Sequence, residues 1–287
     1  MTELYYKDFQ NEILLGLLEK KAFGENPNES LRDFSFYEFS LSDLGLPSIE
    51  SLLESVESIE KEIGLRGWQQ NSRESRNYKG FSLTYNPNFY LQEESIYHQT
   101  WGSNYLTQSY SRNLDTGLHT QTKDTYYDTY AFRKIPPIIN NYLGTFFKKF
   151  RFSLLRSRVA YYTMTGSLPN SNAPWHIDEF PYQLLRINIP LASSEEYVLD
   201  IKGQDDYGNN LELINKHLEV GKVYIWNTRV PHRVTIKSPC RTLKPRIHLV
   251  LGFSPWLDYI DKDDKFVYNQ FHGVSLNEIV TKKLFLK

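Results

Sequence analysis

Between residues 155 and 253 the chain breaks into about eight short runs of alternating or β-branched residues, each closed by Gly, Pro, Asn or Asp. The runs are 155–165, 174–178, 183–191, 197–203, 209–215, 222–227, 231–237 and 245–253. Asp205-Asp206-Tyr207-Gly208-Asn209 and Val220-Gly221-Lys222 read as tight turns between them. No helical period separates one run from the next, so a Rossmann or TIM chain is excluded. Eight short strands with a turn every dozen residues predict a double-sheet jelly roll, mainly β with flanking helices.

The flanks read differently. The segment 1–64 is expected to be helical. Phe9, Ile13, Leu14, Leu17 and Leu18 recur at helical spacing, and Ile49, Leu52, Leu53, Val56, Ile59 and Ile63 form a second stripe. Ser48 sits where an N-cap belongs, Glu50 falls in the positive first turn, and Gly64 suits the stop. Residues 66–133, rich in Asn, Ser, Thr, Tyr and Gln, predict short strands and long loops forming the substrate-facing wall. Pro136 and Pro137 then open a third helix with Ile138, Ile139, Tyr142, Leu143, Phe146, Phe147 and Phe150 on its apolar face. This divides the chain into an N-terminal helical and loop-rich region (1–150) packing on the core, a catalytic core (151–260) and a C-terminal extension (261–287).

Composition narrows the function classes. Aromatic residues reach 15%, which general disorder does not tolerate. The 33 basic and 34 acidic residues nearly cancel, which disfavours nucleic acid or an acidic membrane as a bulk electrostatic partner. A single cysteine, Cys240, leaves no intrachain disulfide and no Cys-rich zinc site. The N-terminus lacks a secretory pattern, and the longest apolar-leaning run, Ile247 to Leu257, is too short to span a bilayer. A soluble, cytoplasmic protein with no membrane association is expected.

Seven histidines are present, and one pattern among them carries chemistry. His176-Ile177-Asp178 places an imidazole and a carboxylate on one face of a strand, where they can supply two adjacent ligands to one metal. His217-Leu218-Glu219 is a rival of similar kind. His176 follows a loop, Gly166 to Pro174, where a strand would re-enter a barrel mouth. His232 comes well downstream of Asp178, directly after an apolar strand, and Arg246 opens the next strand. Two imidazoles and one carboxylate on a single face leave three adjacent positions open on an octahedral ion, the facial triad of non-haem Fe(II) oxygenases. A structural zinc would instead take a closed tetrahedral set, usually with thiolates. The bland alternative is two ordinary part-buried histidines. Arg246 has an independent role, because a guanidinium binds a carboxylate bidentately and stays charged in a dry barrel.

The ordered set His176-x-Asp178, His232, Arg246 resembles the Fe(II)- and 2-oxoglutarate-dependent oxygenases, which have a double-stranded β-helix, cupin-like core. Leu184-Leu-Arg-Ile-Asn-Ile-Pro-Leu191 and Arg246-Ile-His-Leu-Val-Leu-Gly-Phe-Ser-Pro-Trp-Leu-Asp258 are most similar to the aspartyl/asparaginyl β-hydroxylase-like branch. The resemblance covers roughly residues 150–260. It implies that His176, Asp178 and His232 hold Fe(II) and that Arg246 pairs with the distal carboxylate of 2-oxoglutarate. It also implies that Arg186 and Asn188 contact this cosubstrate; the alternative for them is a structural ion pair and a solvated amide. The implied activity is O2-dependent hydroxylation of an amino acid or peptidyl side chain, coupled to decarboxylation of 2-oxoglutarate to succinate. The expected partner is thus a small molecule or a peptide. Asp178 disfavours a halogenase, in which halide takes the carboxylate's position. Trp175 and Trp226 flank the ligand segments and read as packing residues; His248, on the face of Arg246, reads as core.

Two other readings stay open. One is a nucleic-acid-modifying dioxygenase of the same superfamily, supported by Phe146-Phe-Lys-Lys-Phe-Arg-Phe-Ser-Leu-Leu-Arg-Ser-Arg158, where five cations interleave with aromatics. Against it, Gly252 stands at the sixth position after Arg246, where the demethylase branch has a second arginine. The other is a metal-free jelly-roll binding module that uses the Tyr-rich region as its ligand surface.

Overall fold

The computed structural model describes residues 34–67, 78–87, 96–99, 129–162, 175–178, 184–202, 214–237 and 244–287, with the backbone of 3–5, 110–112 and 119–121. Six strands precede the core: β1 (Glu3–Tyr5), β2 (Phe36–Ser40), β3 (Arg66–Gly67), β4 (Tyr78–Ser82), β5 (Tyr110–Arg112) and β6 (His119–Gln121). Then come β7 (Arg158–Tyr162), β8 (His176–Ile177), β9 (Leu185–Ala192), β10 (Tyr197–Ile201), β11 (Ile214–Lys216), β12 (Lys222–Trp226), β13 (His232–Ile236) and β14 (Arg246–Phe253). Two more, β15 (Leu257–Ile260) and β16 (Lys265–Tyr268), follow. Helices are α1 (Ile49–Ile63), α2 (Pro137–Phe147) and α3 (Leu276–Thr281). None is long and apolar enough to cross a membrane.

Each of the eight expected strand windows overlaps an observed strand, β7 to β14, and these alternate between two sheets except at β10 and β11, which pair with one another in the smaller. The larger sheet runs β2-β12-β9-β14-β7-β4-β3 and the smaller β11-β10-β13-β8-β6-β5. The central four strands of the larger sheet and the first four of the smaller make the double-stranded β-helix. Gly221, at φ +86°, makes the turn into β12 in a conformation that favours glycine.

The period of two decides what each face of the larger sheet does. Leu185, Ile187, Ile189 and Leu191 of β9, with Ile247, Leu249, Leu251 and Phe253 of β14, enter one continuous core with Leu52, Val56 and Ile59 of α1 and Ile139, Leu143 and Phe146 of α2. Burying each such side chain stabilises by about 1.5–3 kcal/mol. Helix α1 starts as its sequence requires, with the Ser51 N–H donating to Ser48 Oγ at 3.4 Å, and ends at Gly64, at φ +74°. The intervening residues of β9 and β14 face the second sheet.

One expectation needs correction. The segment 1–64 is not all helical: Phe36–Ser40 is strand β2, antiparallel to β12 from Phe36↔Trp226 to Ser40↔Lys222, and β1 pairs with β16. The cause is the free edge of β12, with which Phe36-Tyr-Glu-Phe-Ser40 pairs along its whole length. Phe36 meets Tyr224 and Trp226 between the sheets, whereas Phe39 meets Phe285 on the helical side. Within 1–150, β2 and β4 are hydrogen-bonded members of the larger sheet and β6 of the smaller. The 205–209 turn, the 166–174 loop, the Phe9–Leu18 stripe and Cys240 lie outside the described residues.

Candidate active site

His176 and His232 are Cα partners on the neighbouring strands β8 and β13, which sets their rings 4.3 Å apart between centroids. Asp178 follows β8 immediately, and its N–H donates to the Thr228 carbonyl at 2.9 Å, anchoring it beside the loop that leads to His232. Asp178 Oδ2 lies 3.4 Å from His232 Nε2 and 3.9 Å from His176 Nε2. The three ligand atoms fall within 4.8 Å of one another, the only such group of His, Cys, Asp and Glu among the described residues. Asp178 and His232 are buried; His176 is half-buried.

The donor set fits a divalent metal. His232 Nδ1 sits 2.9 Å from the Val230 carbonyl oxygen, a contact only an N–H can make. That fixes the proton on Nδ1 and leaves the Nε2 lone pair aimed at Asp178, the tautomer a metal ligand needs. Arg186 Nη1 donates to Asp178 Oδ2, the oxygen that faces both imidazoles. A buried carboxylate requires a counter-charge, and Arg186 provides it. Burial pushes the Asp178 carboxyl up, but the Arg186 guanidinium beside it, with smaller contributions from the neighbouring histidines, holds it well below the usual carboxylate range.

Arg246 opens β14 opposite Tyr162, which in turn is opposite Tyr78 on β4. The rings of Tyr78 and Tyr162 lie 5.9 Å apart and those of Tyr162 and Tyr197 6.0 Å apart, joining the two sheets. Burial lowers Arg246 from 12.5 to about 10, against the pull of these three tyrosines, so it keeps its charge at neutral pH. Its Nη2 meets His248 Nδ1 at 3.1 Å. A guanidinium only donates, so Nδ1 accepts and the His248 proton resides on Nε2. His248 is fully buried, and burial followed by the Arg246 and His217 charges holds it well below its usual value, neutral.

Other sequence candidates separate cleanly. His217 Nδ1 is engaged at 3.0 Å by the Tyr197 carbonyl, and neither it nor Glu219 joins a metal cluster. Phe146, Phe147, Phe150 and Phe152 are buried in the core, so no stacking surface of these aromatics remains for nucleic acid. Gly252 is pinned: a Cβ there would lie 2.5 Å from the Arg156 carbonyl and from Leu184 Cδ1, leaving no room for a second arginine. The half-buried Trp175 ring has Arg233 Cζ at 4.4 Å and Lys202 Nζ at 4.7 Å from its centroid. Sequence reasoning missed the tyrosines around Arg246 and, though a structural ion pair was the alternative reading for Arg186, missed Asp178 as its partner. Strand alternation could have found Tyr162; Tyr78 carried no signal in a weakly patterned stretch.

No family model matches the chain, and no curated protein matches it either. Solved structures similar to it include a prolyl-4-hydroxylase from Pseudomonas putida, at 12% identity over 78% of this chain and 95% of that one, with a TM-score of 0.36. A second is a prolyl hydroxylase from Trichoplax adhaerens in complex with a hypoxia inducible factor oxygen degradation domain peptide fragment, at 10% identity, 90% and 97% coverage and a TM-score of 0.36. A third is an oxidoreductase of the 2OG-Fe(II) oxygenase family from Burkholderia pseudomallei, at 11% identity, 79% and 88% coverage and a TM-score of 0.39. Likeness at these scores assigns no role to any side chain; the site is read from its own geometry.

Proposed function

We propose that the protein is an Fe(II)- and 2-oxoglutarate-dependent dioxygenase that hydroxylates an unactivated C–H of an amino acid or a peptidyl side chain. The observation that carries this reading is the convergence of His176, Asp178 and His232 at one end of a jelly roll whose interior also holds the charged Arg246. His176, Asp178 and His232 hold the metal on one face. When bound, Fe(II) supplies the activation of O2 that couples 2-oxoglutarate decarboxylation to C–H oxidation. Arg246 takes the distal carboxylate of 2-oxoglutarate as a charge-assisted pair, oriented by His248. Arg186 keeps Asp178 anionic before the metal arrives and, with Asn188, lies near the cosubstrate's other end. The aromatic walls around Trp226 and the tyrosines exclude water from the oxidising site.

The substrate belongs to the aspartyl/asparaginyl β-hydroxylase-like range on this reading, in the cytoplasm. Strand β6, which runs parallel to β8 at His119↔His176, brings residues of the 66–133 region beside a metal ligand and supports their role as a substrate wall. The test is iron-loaded protein, prepared without oxygen, then assayed for succinate across a panel of amino acids and peptides. Substrate-dependent succinate with a product heavier by one oxygen is expected. Protein that binds no stoichiometric iron and turns over no 2-oxoglutarate is instead a binding module, and the proposal fails.

A further inference from the structure

A cleft of about 190 Å³ lies where the stretch after α2 meets β15 and the turn after β16, lined by Arg151, Phe152, Asp258, Asn269, Gln270 and Phe271. None of these residues belongs to the iron or cosubstrate set. Two opposite charges share the wall of this cleft and do not meet each other. Arg151 is held from behind: its N–H donates to the Phe285 carbonyl at 2.8 Å and its Nε to the Leu286 carbonyl at 3.1 Å. Its guanidinium carbon lies 5.5 Å from the Phe271 ring centroid, and its two Nη groups stay open among the described residues. Asp258 is held in turn. Asn269 Nδ2 donates to Asp258 Oδ1 at 3.3 Å, while Asn269 Oδ1 accepts from the Phe271 N–H at 2.9 Å. Neither charge has an ion-pair partner among the described residues. Burial raises the Asp258 carboxyl above its ordinary value, against the Asn269 hydrogen bond, as expected of a carboxylate that no cation answers.

The chemistry of the wall selects the occupant. An anion alone would suit the Arg151 fork but face Asp258, and a cation alone would meet the reverse. A neutral molecule leaves both charges unanswered. A zwitterion satisfies both at once, with a charge-assisted hydrogen bond at each end. The volume falls below the roughly 300–1,000 Å³ of clefts for drug-sized ligands, which limits the occupant to a small molecule. Phe152 and Phe271, edge to face at 5.6 Å, offer an apolar patch to a short aliphatic side chain. We propose that this cleft binds a small α-amino acid, its carboxylate on Arg151 and its ammonium on Asp258. The site goes beyond the dioxygenase reading and does not depend on it.

The experiment uses the full chain with 15N-labelled arginine, loaded with Zn2+ so that no turnover occurs. The Arg151 Nε–H resonance, assigned by its absence in Arg151→Met, reports from inside the cleft. Adding L-alanine should move it saturably in the millimolar range. Calorimetry should show alanine binding about tenfold weaker in both Arg151→Met and Asp258→Asn, each of which removes one charge-assisted contact. Acetate alone and methylammonium alone, at the same concentrations, should leave the resonance nearly where it was. If acetate moves it as far as alanine does, the cleft is an anion patch and the zwitterion site is wrong. The proposal also fails if the resonance does not respond to alanine. Alanine binding of unchanged strength in both variants places the amino acid elsewhere, in the barrel for example, and overturns it too. Should Arg151→Met not fold, the near-isosteric Asp258→Asn decides alone, because the Arg151 resonance remains in place to report.

Discussion

The two faces of the larger sheet are built from the same strands, one residue out of step, and they are opposites. On the helical side Leu185, Ile187, Ile189, Leu249 and Leu251 are wholly buried against apolar neighbours and carry no polar atom to satisfy. On the inner side Arg186, Asn188, Trp226, Arg246 and His248 are buried or part-buried, with several donors unmatched among the described residues. The first face supplies stability. The second spends some of it, because charges and open N–H groups kept from water are unfavourable until a ligand meets them. Function has been concentrated on positions that folding alone would fill with leucine.

That division can be broken by experiment. The largest effect should come from Asp178→Ala on the inner side. It removes the single anionic ligand of the triad and leaves Arg186 buried without its counter-charge. Hydroxylation should disappear, and Mn2+ affinity, followed by EPR of the free ion, should fall at least ~100-fold. Wild-type turnover in this variant would mean the ligands have been misassigned. Arg246→Met comes next and should act in two opposite directions. The apparent Michaelis constant for 2-oxoglutarate should rise by roughly 100- to 1000-fold, as expected when about 3–5 kcal/mol of buried ion pairing is lost. The ligand-free protein should meanwhile become more stable. Arg246 has its folded pKa depressed to about 10, so protonation disfavours the folded state at neutral pH and the penalty fades only as pH rises above about 10 towards the ordinary guanidinium range. Removing the charge should raise the melting temperature by about 2–4 °C. A lower melting temperature would show that Arg246 is a structural cation.

Leu249→Ala, on the helical face next to His248, should behave in the contrary manner. It should cost about 2–5 kcal/mol in urea unfolding while the folded fraction binds Mn2+ with unchanged affinity. Coupled loss of metal binding would show that the faces are not independent. The smallest effect is expected from Ser48→Ala, which removes the cap of α1 and should lower stability by about 1 kcal/mol with no change in cosubstrate affinity.

Much of this division was legible in advance because it rests on local rules. The eight strands, the α1 boundaries at Ser48 and Gly64, and the Pro137 helix start follow from periodicity and capping, which act over short spans of chain. The triad was legible because His176 and Asp178 stand two apart where one short strand ends and His232 begins another. What stayed hidden depends on who the neighbours are. Phe36–Ser40 is a strand because β12 offers it an edge, and Arg186 meets Asp178 because two sheets close over one another. Tyr78 reaches the Arg246 site through register with Tyr162, a relation between segments that no single window contains.

The place of β2 has a consequence for how the chain reaches this state. Glu38 meets Lys216 at a separation of 178 positions, and Tyr37 bonds Asn277 at a separation of 240. An edge strand whose partners are made so much later must wait, during synthesis, with its backbone unpaired and Phe36 and Phe39 uncovered. Contacts of such long range carry their loop-closure cost before any reward, so folding should be slow and limited by late docking of the N-terminal strand. The same interval is when a newly made chain is most exposed to aggregation.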